Sequence, residues 1–501
     1  MDELKELVGV VSKQKVKKIE IIGQDKMESK INQFYNLLIE QKIETDDDAL
    51  TFLYKNKSPK SIQSLKKLKQ RLKSKLLNTI YFFDLNNSYN SKTEIAFYEC
   101  YKNWTTLKIL ALKGTLRITS YKLAERTLNI ALKYEFTDIA TLLARELILY
   151  HSVATGDLAK FNKYNSILEE QTNLFNAELI AEKYFASLTI QITNLRGSNK
   201  DELIERCDSY IEHLNELKKQ YNSYRFYRHS YYVLSLSYEV KGDYQNIINL
   251  SEEAISYFES KSFSTPEAIF SVKLQIIIAK IPLKQYSDAI LLSEENMNIL
   301  NRNHYNWFVN QYYYIILCIH AKEYTKAFEL TNLVKSQKSF KTLYNHLKQN
   351  FLVFDAYLNF LNERNKINSD LEVKSFRIYK FLNDVPNFTK DKAGLNIAIL
   401  IVHTLFLLHL KKYNQIIDRV ESLNQYCYRY LRKDDTFRSN CFIKMLLQIP
   451  KADFNRIRTE RYAEKFVDKL NSVPLSVSTQ SAEVEFFPYE DLWEITLEML
   501  D

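Results

Sequence analysis

Two short stretches combine histidine with aromatic residues, and the first also contains arginine; aromatic residues and arginine are the types that most often anchor a bound peptide. The first runs from Tyr221 to Tyr232, and the second runs from His304 to His320. The sequence predicts that seven of their side chains face a partner: Arg225, Arg228, His229, Tyr232, Trp307, Tyr312 and His320. The alternative is that these residues pack between helices and contact no ligand.

A basic segment near the N-terminus could bind the phosphates of a nucleic acid. Between Lys55 and Lys75 there are nine basic residues and no acid. A predicted helix there buries Ile62, Leu65, Leu68, Leu72, Leu76 and Ile80, and turns outward Lys66, Lys67, Lys69, Arg71 and Lys73. Thr45 and Pro59 are suited to begin two successive helices, which is the outline of a helix-turn-helix reader. The alternative is a capping helical pair with a solvated lysine face.

The C-terminal residues 483–501 are acidic and aromatic. From residue 471 onward there are seven acids and neither Lys nor Arg. Pro488 could open a helix here, and Phe486, Phe487 and Trp493 are the candidates to dock into a basic or apolar groove. The alternative is a capping helix that seals the end of the preceding repeats.

Residues needed for several enzyme chemistries are too widely spaced. The 7 glycines lie far apart, so the chain contains no P-loop, no GxGxxG turn and no GxSxG elbow. The histidines form no HExxH pattern, and the 5 cysteines form no CxxC pair. We therefore predict a protein that is not an enzyme and that has no metal site and no cofactor.

Composition predicts that helices carry the candidate residues. The chain of 501 residues has only 7 Gly and 7 Pro, whereas β-rich and α/β folds need many of both in their turns. The cysteine pattern indicates a reducing compartment. The N-terminus lacks a secretory pattern, and the longest apolar run, residues 397–408, is too short to span a bilayer. We expect a cytoplasmic protein without a membrane partner.

A polar turn followed by an aromatic residue recurs along the chain. The clearest copy is Gly242-Asp243-Tyr244, and related turns are Lys284-Gln285-Tyr286, Lys322-Glu323-Tyr324 and Lys411-Lys412-Tyr413. Weaker copies are expected at residues 121, 156–158, 203 and 454, and a degenerate copy is expected within residues 360–385. Around the clearest turn, the helix-packing positions are Leu234, Ser235, Tyr238, Ile247, Ser251 and Ala254. In these residues the unit resembles a tetratricopeptide repeat.

The resemblance implies an all-α fold, a tetratricopeptide-like α-solenoid of antiparallel helical pairs with an N-terminal helical cap domain. The spacing near 41 residues exceeds the usual 34, so HEAT-like pairs remain an alternative. The predicted domains are a basic helical domain (1–90), helical repeats (91–470), a Ser-rich linker (471–482) and an acidic C-terminal segment (483–501).

In such arrays the first helix of each pair lines a concave groove. The resemblance therefore implies a non-catalytic scaffold that binds a peptide or protein partner in that groove. The alternative is a regulator in which the basic N-terminal pair binds nucleic acid and the repeats act as a sensor.

Overall fold

A computed structural model describes residues 29–40, 42–43, 45–54, 57–80, 91–112, 118–193, 200–300, 302, 304–368, 376–384, 395–431, 437–473 and 485–500. In these ranges the regular elements are helices, with no strand, which confirms the all-α prediction. None of the described helices is long and apolar enough to cross a bilayer. The chain divides into two compact units, Met1–Thr172 (unit 1) and Asn173–Asp501 (unit 2). Most of the predicted Ser-rich linker lies outside the described residues.

The described part of unit 1 begins with three helices, α1 (Lys30–Ile39), α2 (Asp46–Tyr54) and α3 (Pro59–Ile80). α2 begins where predicted, because Asp48 N donates to Thr45 Oγ1 (3.2 Å) and Thr45 N donates to the Asp48 carboxylate (2.8 Å). Pro59 is the first residue of α3, also as predicted. A small core holds the three helices together, formed by Phe34, Ile43, Ala49, Leu50, Leu65, Leu68 and Leu72.

The predicted buried stripe of α3 is correct only in its middle part. Leu65, Leu68 and Leu72 are buried. The remaining members are exposed: Ile62 by 53%, Leu76 by 37% and Ile80 by 48%. α1 and α2 have 10 and 9 residues against 22 in α3. At 1.5 Å per residue, the two short helices cannot cover the apolar face of α3 at both ends.

The rest of unit 1 contains α4 (Lys92–Leu112), α5 (Ile118–Lys133), α6 (Thr137–Tyr150) and a π-helical turn at His151–Thr155. α4 packs on α5, and α5 packs on α6. Ala124, Leu128 and Ala131, spaced by four and three residues in α5, are all buried and form its inner face. α7 (Leu158–Thr193) follows, and the division between the units falls within it.

Unit 2 is built from consecutive helices. The first eight that follow α7 are α8 (Lys200–Lys218), α9 (Tyr224–Lys241), α10 (Tyr244–Ser260), α11 (Pro266–Lys280), α12 (Tyr286–Met297), α13 (Tyr305–His320), α14 (Tyr324–Ser336) and α15 (Asn345–Glu363). From α8 to α15 each helix packs against the next one in the chain. α11 also contacts α13, and α13 contacts α15. α11, α13 and α15 are therefore stacked on one another.

The C-terminal part of unit 2 has shorter helices. They are α16 (Ile378–Asp384), α17 (Leu395–His409), α18 (Tyr413–Ile417), α19 (Val420–Tyr430), α20 (Phe437–Leu446), α21 (Gln448–Lys451), α22 (Arg456–Asn471) and α23 (Tyr489–Leu497). α17 packs on α15, and α20 packs on both α22 and α23. Their apolar residues join one large core that begins at Ile277 and ends at Met499.

One type of turn joins helices along both units. A residue with φ between +51° and +73° stands at Glu135, Gly156, Gly242, Lys284, Lys322, Asn365, Lys411 and Asp453. At the clearest copy, Asp243 N donates to Tyr238 O (2.9 Å), five residues earlier. The same i to i−5 bond closes the turns after Lys284, Lys322, Asn365 and Lys411. This is the helix C-cap geometry that favours glycine, here adopted mostly by other residues.

The four strongest predicted turns are confirmed at their helix starts. Tyr244, Tyr286, Tyr324 and Tyr413 are the first residues of α10, α12, α14 and α18. The turn at Asn365 lies within the region where a degenerate copy was expected. Two weaker copies do not follow such a turn, because Tyr121 and Leu203 lie inside α5 and α8.

Candidate functional site

The C-terminal segment, defined as residues 485–500, packs against helices of its own unit. It consists of four residues without helical structure, followed by α23 and its end. Phe486, Phe487, Tyr489 and Leu492 are each 2% exposed or less and belong to the large core of unit 2. The sequence left two roles open for this segment, a docking motif and a capping helix, and the surface that it covers is the candidate site.

Two phenylalanines of the segment lie among aromatic rings of α13 and α15. The ring centroid of Phe486 is 5.0 Å from that of Phe354 and 6.5 Å from that of Tyr312, both edge to face. Phe487 stacks on Tyr357 at 5.0 Å. Edge-to-face and offset stacked rings are the favoured aromatic geometries. The α13–α15 face thus provides two adjacent subsites for aromatic side chains.

Tyr489 holds the start of α23 on α20. Its ring stacks on Phe442 at 4.6 Å, with an angle of 7° between the planes. Its hydroxyl lies 2.9 Å from Ser439 Oγ. Burial raises the pKa of Tyr489, so the phenol keeps its proton for this hydrogen bond. Trp493, one turn further along α23, is also buried in the same core.

Arg438 on α20 provides the charge that fixes the segment. Its Nε and Nη2 donate to the two carboxylate oxygens of Glu485, each at 2.8 Å, and Nη2 also donates to Glu490 (2.7 Å). Its Nη1 donates to Leu470 O (3.0 Å) and Val473 O (2.7 Å) at the end of α22. Burial disfavours the Arg438 charge, but the hydrogen bonds and charges of the two glutamates raise its pKa overall. Arg438 is therefore a charged anchor with all of its donor groups engaged.

Two lysines extend this positive surface along the segment. Lys322 Nζ lies 2.7 Å from Asp491 Oδ1, and Lys366 Nζ lies 2.9 Å from Glu498 Oε2. Both pairs are partly exposed, so each contributes less than the pair of Arg438 with the buried Glu485. The surface consequently matches the acidic character of the segment over its whole length.

The predicted partner-binding residues of α13 lie in different surroundings. Tyr312 is buried against Phe486. His320 is also buried, and burial lowers its pKa to about 4, with the Glu485 backbone and the Glu490 carboxylate opposing that shift. Trp307, by contrast, is buried against Phe308. Tyr312 and His320 thus lie beside the C-terminal segment.

The predicted residues of α9 belong to another part of unit 2. His229 is buried, with Nδ1 3.0 Å from Arg225 O and Nε2 3.8 Å from Glu182. Tyr232 is half-buried beside Phe185 (5.5 Å) and belongs to a core cluster separate from that of Tyr312. Arg228 is exposed, and Arg225 Nη1 lies 3.9 Å from Glu178. The α9 and α13 candidates therefore do not share one core.

The five predicted nucleic-acid-binding residues of α3 are all exposed: Lys66, Lys67, Lys69, Arg71 and Lys73. Lys69 Nζ pairs with Asp46 Oδ1 at 2.6 Å. Three of the cations, Lys66, Lys69 and Lys73, border an open groove of about 930 Å³ between α1, α2 and α3. The groove is lined mostly by apolar side chains, so these cations flank an apolar surface.

Sequence reasoning missed the residue that organises the site. Arg438 stands alone in a segment without a motif, and its partners are 47 and 52 residues away in the chain. Complementarity between the acidic C-terminal residues and some basic site elsewhere was the only available signal. The aromatic subsites of α15 were missed because Phe354 and Tyr357 read as ordinary core residues of a helix.

Cysteines and possible metal ligands are the remaining chemical groups among the described residues. All five cysteines are buried and free, and burial raises the pKa of Cys100 and Cys318 to about 12, which disfavours the reactive thiolate. Among the described residues there is no group of three or more His, Cys, Asp or Glu arranged to hold a metal ion. In comparisons with protein-family models, curated proteins and solved structures, no match was found.

Proposed function

We propose that this protein is a non-catalytic scaffold whose unit 2 binds an acidic, aromatic peptide of a partner protein. The observation that carries the proposal is the C-terminal segment itself, held by aromatic subsites and by Arg438. A surface that accommodates one such peptide in the same chain has the shape and charge to accept another. The segment is then the resident occupant of the partner site.

The turns and the packing of unit 2 support a tetratricopeptide-like array as the framework of this site. Successive helices pack against one another, α11, α13 and α15 stack, and an aromatic residue follows the left-handed turns at Gly242, Lys284, Lys322 and Lys411. One of these turn residues, Tyr324, lies 6.1 Å from Phe487. Repeat positions and peptide-binding positions therefore meet at the same place, as in groove-binding helical repeats.

The chemistry of the surface defines the partner peptide. Two adjacent aromatic side chains would enter the subsites beside Phe354 and Tyr357. The carboxylate of an acidic residue directly before them would accept bidentate hydrogen bonds from Arg438. A second acidic residue and an apolar helical turn of the peptide would follow and pack against α20. The partner competes with the resident segment, so its apparent affinity is its intrinsic affinity multiplied by the fraction of protein in which the segment is released.

A peptide-exchange experiment tests this proposal on the full chain. A protease site is inserted within residues 474–484, the purified protein is cut, and a labelled peptide of residues 485–501 is added. We expect the labelled peptide to replace the resident one, while a peptide carrying Phe486→Ala and Phe487→Ala does not. A cut protein that stays folded but never exchanges its peptide would overturn the proposal, because the segment would then be a permanent part of the core.

Exposed cations on α3 support a second candidate function, the binding of nucleic acid by unit 1. Lys67 and Arg71 are on a different side of α3 from Lys66, Lys69 and Lys73, since residues one helical turn apart share a face. Phosphate binding would require several of these cations and would weaken steeply with salt. Electrophoretic mobility of labelled DNA and RNA at increasing salt tests this candidate, and no shift at low salt would exclude it.

A further inference from the structure

The described residues of unit 1 form an apolar groove. It lies between the end of α1, the start of α2 and the C-terminal half of α3. The apolar side chains along it are accessible: Leu38 is 42% exposed, Leu77 is 53% exposed and Ile80 is 48% exposed. A contiguous apolar groove of this kind is typical of a binding site for another macromolecule.

The length of the groove fits one helix of a partner. Lining residues recur on successive turns of α3, from Lys66 through Lys73 and Leu77 to Ile80. Fourteen residue steps of about 1.5 Å give a groove of roughly 21 Å. A partner helix of about four turns spans that distance and can place apolar residues in it at three- and four-residue spacing.

The charge of the groove defines the flanks of that helix. Three lysines and one acid line the groove. Lys69 is paired with Asp46, while Lys66 and Lys73 form no ion pair with the described residues. The lining therefore has an excess of two positive charges. Both free lysines stand at the rim, where acidic residues beside the apolar face of a bound helix would reach them.

We propose that this groove binds an acidic amphipathic helix of a partner protein. The apolar face of the helix covers Leu38, Leu77 and Ile80, and its acidic residues pair with Lys66 and Lys73. Nucleic acid fits less well, because phosphates and sugars gain nothing from an apolar floor. A second copy of this chain fits less well too, since a two-fold contact would bring the same lysines together. The groove and the peptide surface of unit 2 are formed by different residues.

The test uses the full chain and a designed probe. The probe is a labelled helical peptide of about 16 residues, four turns and a short margin, with leucines on one face and glutamates on both flanks. A matched peptide has lysines in place of the glutamates. We expect saturable binding of the acidic peptide by fluorescence anisotropy, weakened by salt, and no binding of the basic peptide.

Two pairs of variants on α3 locate the binding site. The double variant Lys66→Glu and Lys73→Glu should weaken binding of the acidic peptide by about tenfold or more. The double variant Lys67→Glu and Arg71→Glu makes the same charge change outside the groove and should change that binding by less than about twofold. Leu77→Asp should abolish binding, while Ile62→Asp, at an equally exposed position that does not line the groove, should not. Thermal melts verify that all four proteins fold.

Three results would overturn the inference. The first is equal loss of peptide binding in both charge variants, which would indicate a diffuse electrostatic effect. The second is binding of a DNA duplex to the full chain that is lost equally in both charge variants, which would identify α3 as a nucleic-acid surface. The third is self-association that disappears in Leu77→Asp, seen by sedimentation, which would make a second copy the occupant.

Discussion

Arg438 and Glu485 form a bidentate ion pair across 47 residues of the chain, with both N–O distances at 2.8 Å. Glu485 is buried, and 11% of the Arg438 side chain is exposed, so the pair is largely shielded from solvent and salt. The guanidinium also holds the end of α22 through two backbone carbonyls. One residue therefore connects the C-terminal segment to the last long helix of unit 2.

Removing one partner of this pair should be strongly destabilising. For Arg438→Ala we expect a loss of about 3–5 kcal/mol in the free energy of unfolding, because Glu485 is left as an unpaired buried charge. Denaturant titration measures the effect. The exposed pair of Arg456 and Glu460 is the control, and Arg456→Ala should cost less than about 1 kcal/mol. Similar costs for the two substitutions would contradict the assignment of Arg438 as the anchor.

The left-handed turns predict that substitutions to and from glycine change the free energy of unfolding in opposite directions. Gly242 has φ +73° and open space around its Cα, so Gly242→Ala should cost about 1–2 kcal/mol through backbone strain alone. Lys284 and Lys411 adopt the same conformation, with φ +57° and +53°. Lys284→Gly and Lys411→Gly should therefore be neutral or stabilising by up to about 1 kcal/mol, whereas glycine inside a helix destabilises. A clear loss of stability in both glycine variants would refute this reading of the turns.

His320 predicts a pH dependence of stability. Its pKa is lowered to about 4 in the folded protein, against about 6.5 in the unfolded chain. Between these values the unfolded state binds more protons, so the contribution of His320 to stability is present above pH 6.5 and is lost as the pH falls toward 4. His320→Gln should flatten the stability profile in that window, by at most about 1.4 kcal/mol per pH unit. The exposed residue His304 provides the control His304→Gln, and identical profiles for the two variants would contradict the prediction.

Local features of the fold were predictable, since the residues that determine them are neighbours in the sequence. The helix that starts at Tyr244 follows from the turn before it. The helix that starts at Pro59 follows from the proline itself, which favours the first helical position. The exposure of Ile62 and Ile80 was not predictable, because it depends on how far α1 and α2 reach along α3. An amphipathic pattern identifies a face that could be buried, and the length of the covering helices decides how much of it is buried.

The candidate site was predictable only in its parts. Tyr312, His320 and Phe486 were each singled out by residue type, but nothing local to them indicates that they meet. Their contact depends on the path of the chain after α22, and on Arg438, whose role is defined by acids far along the sequence. The α9 candidates had the same residue types and lie elsewhere, which illustrates that composition alone does not define a site.

The central claim, that the C-terminal segment is a reversible occupant of a peptide site, is tested most directly by native-state hydrogen exchange of the full chain. Amides of α23 should exchange through a local opening that leaves α13, α15 and α20 protected, at a free energy well below that of global unfolding. Adding an excess of the peptide of residues 485–501 should not slow the exchange of α13, α15 and α20 further. If α23 exchanges only together with those three helices, through global unfolding, the segment is a fixed part of the core and the claim is wrong.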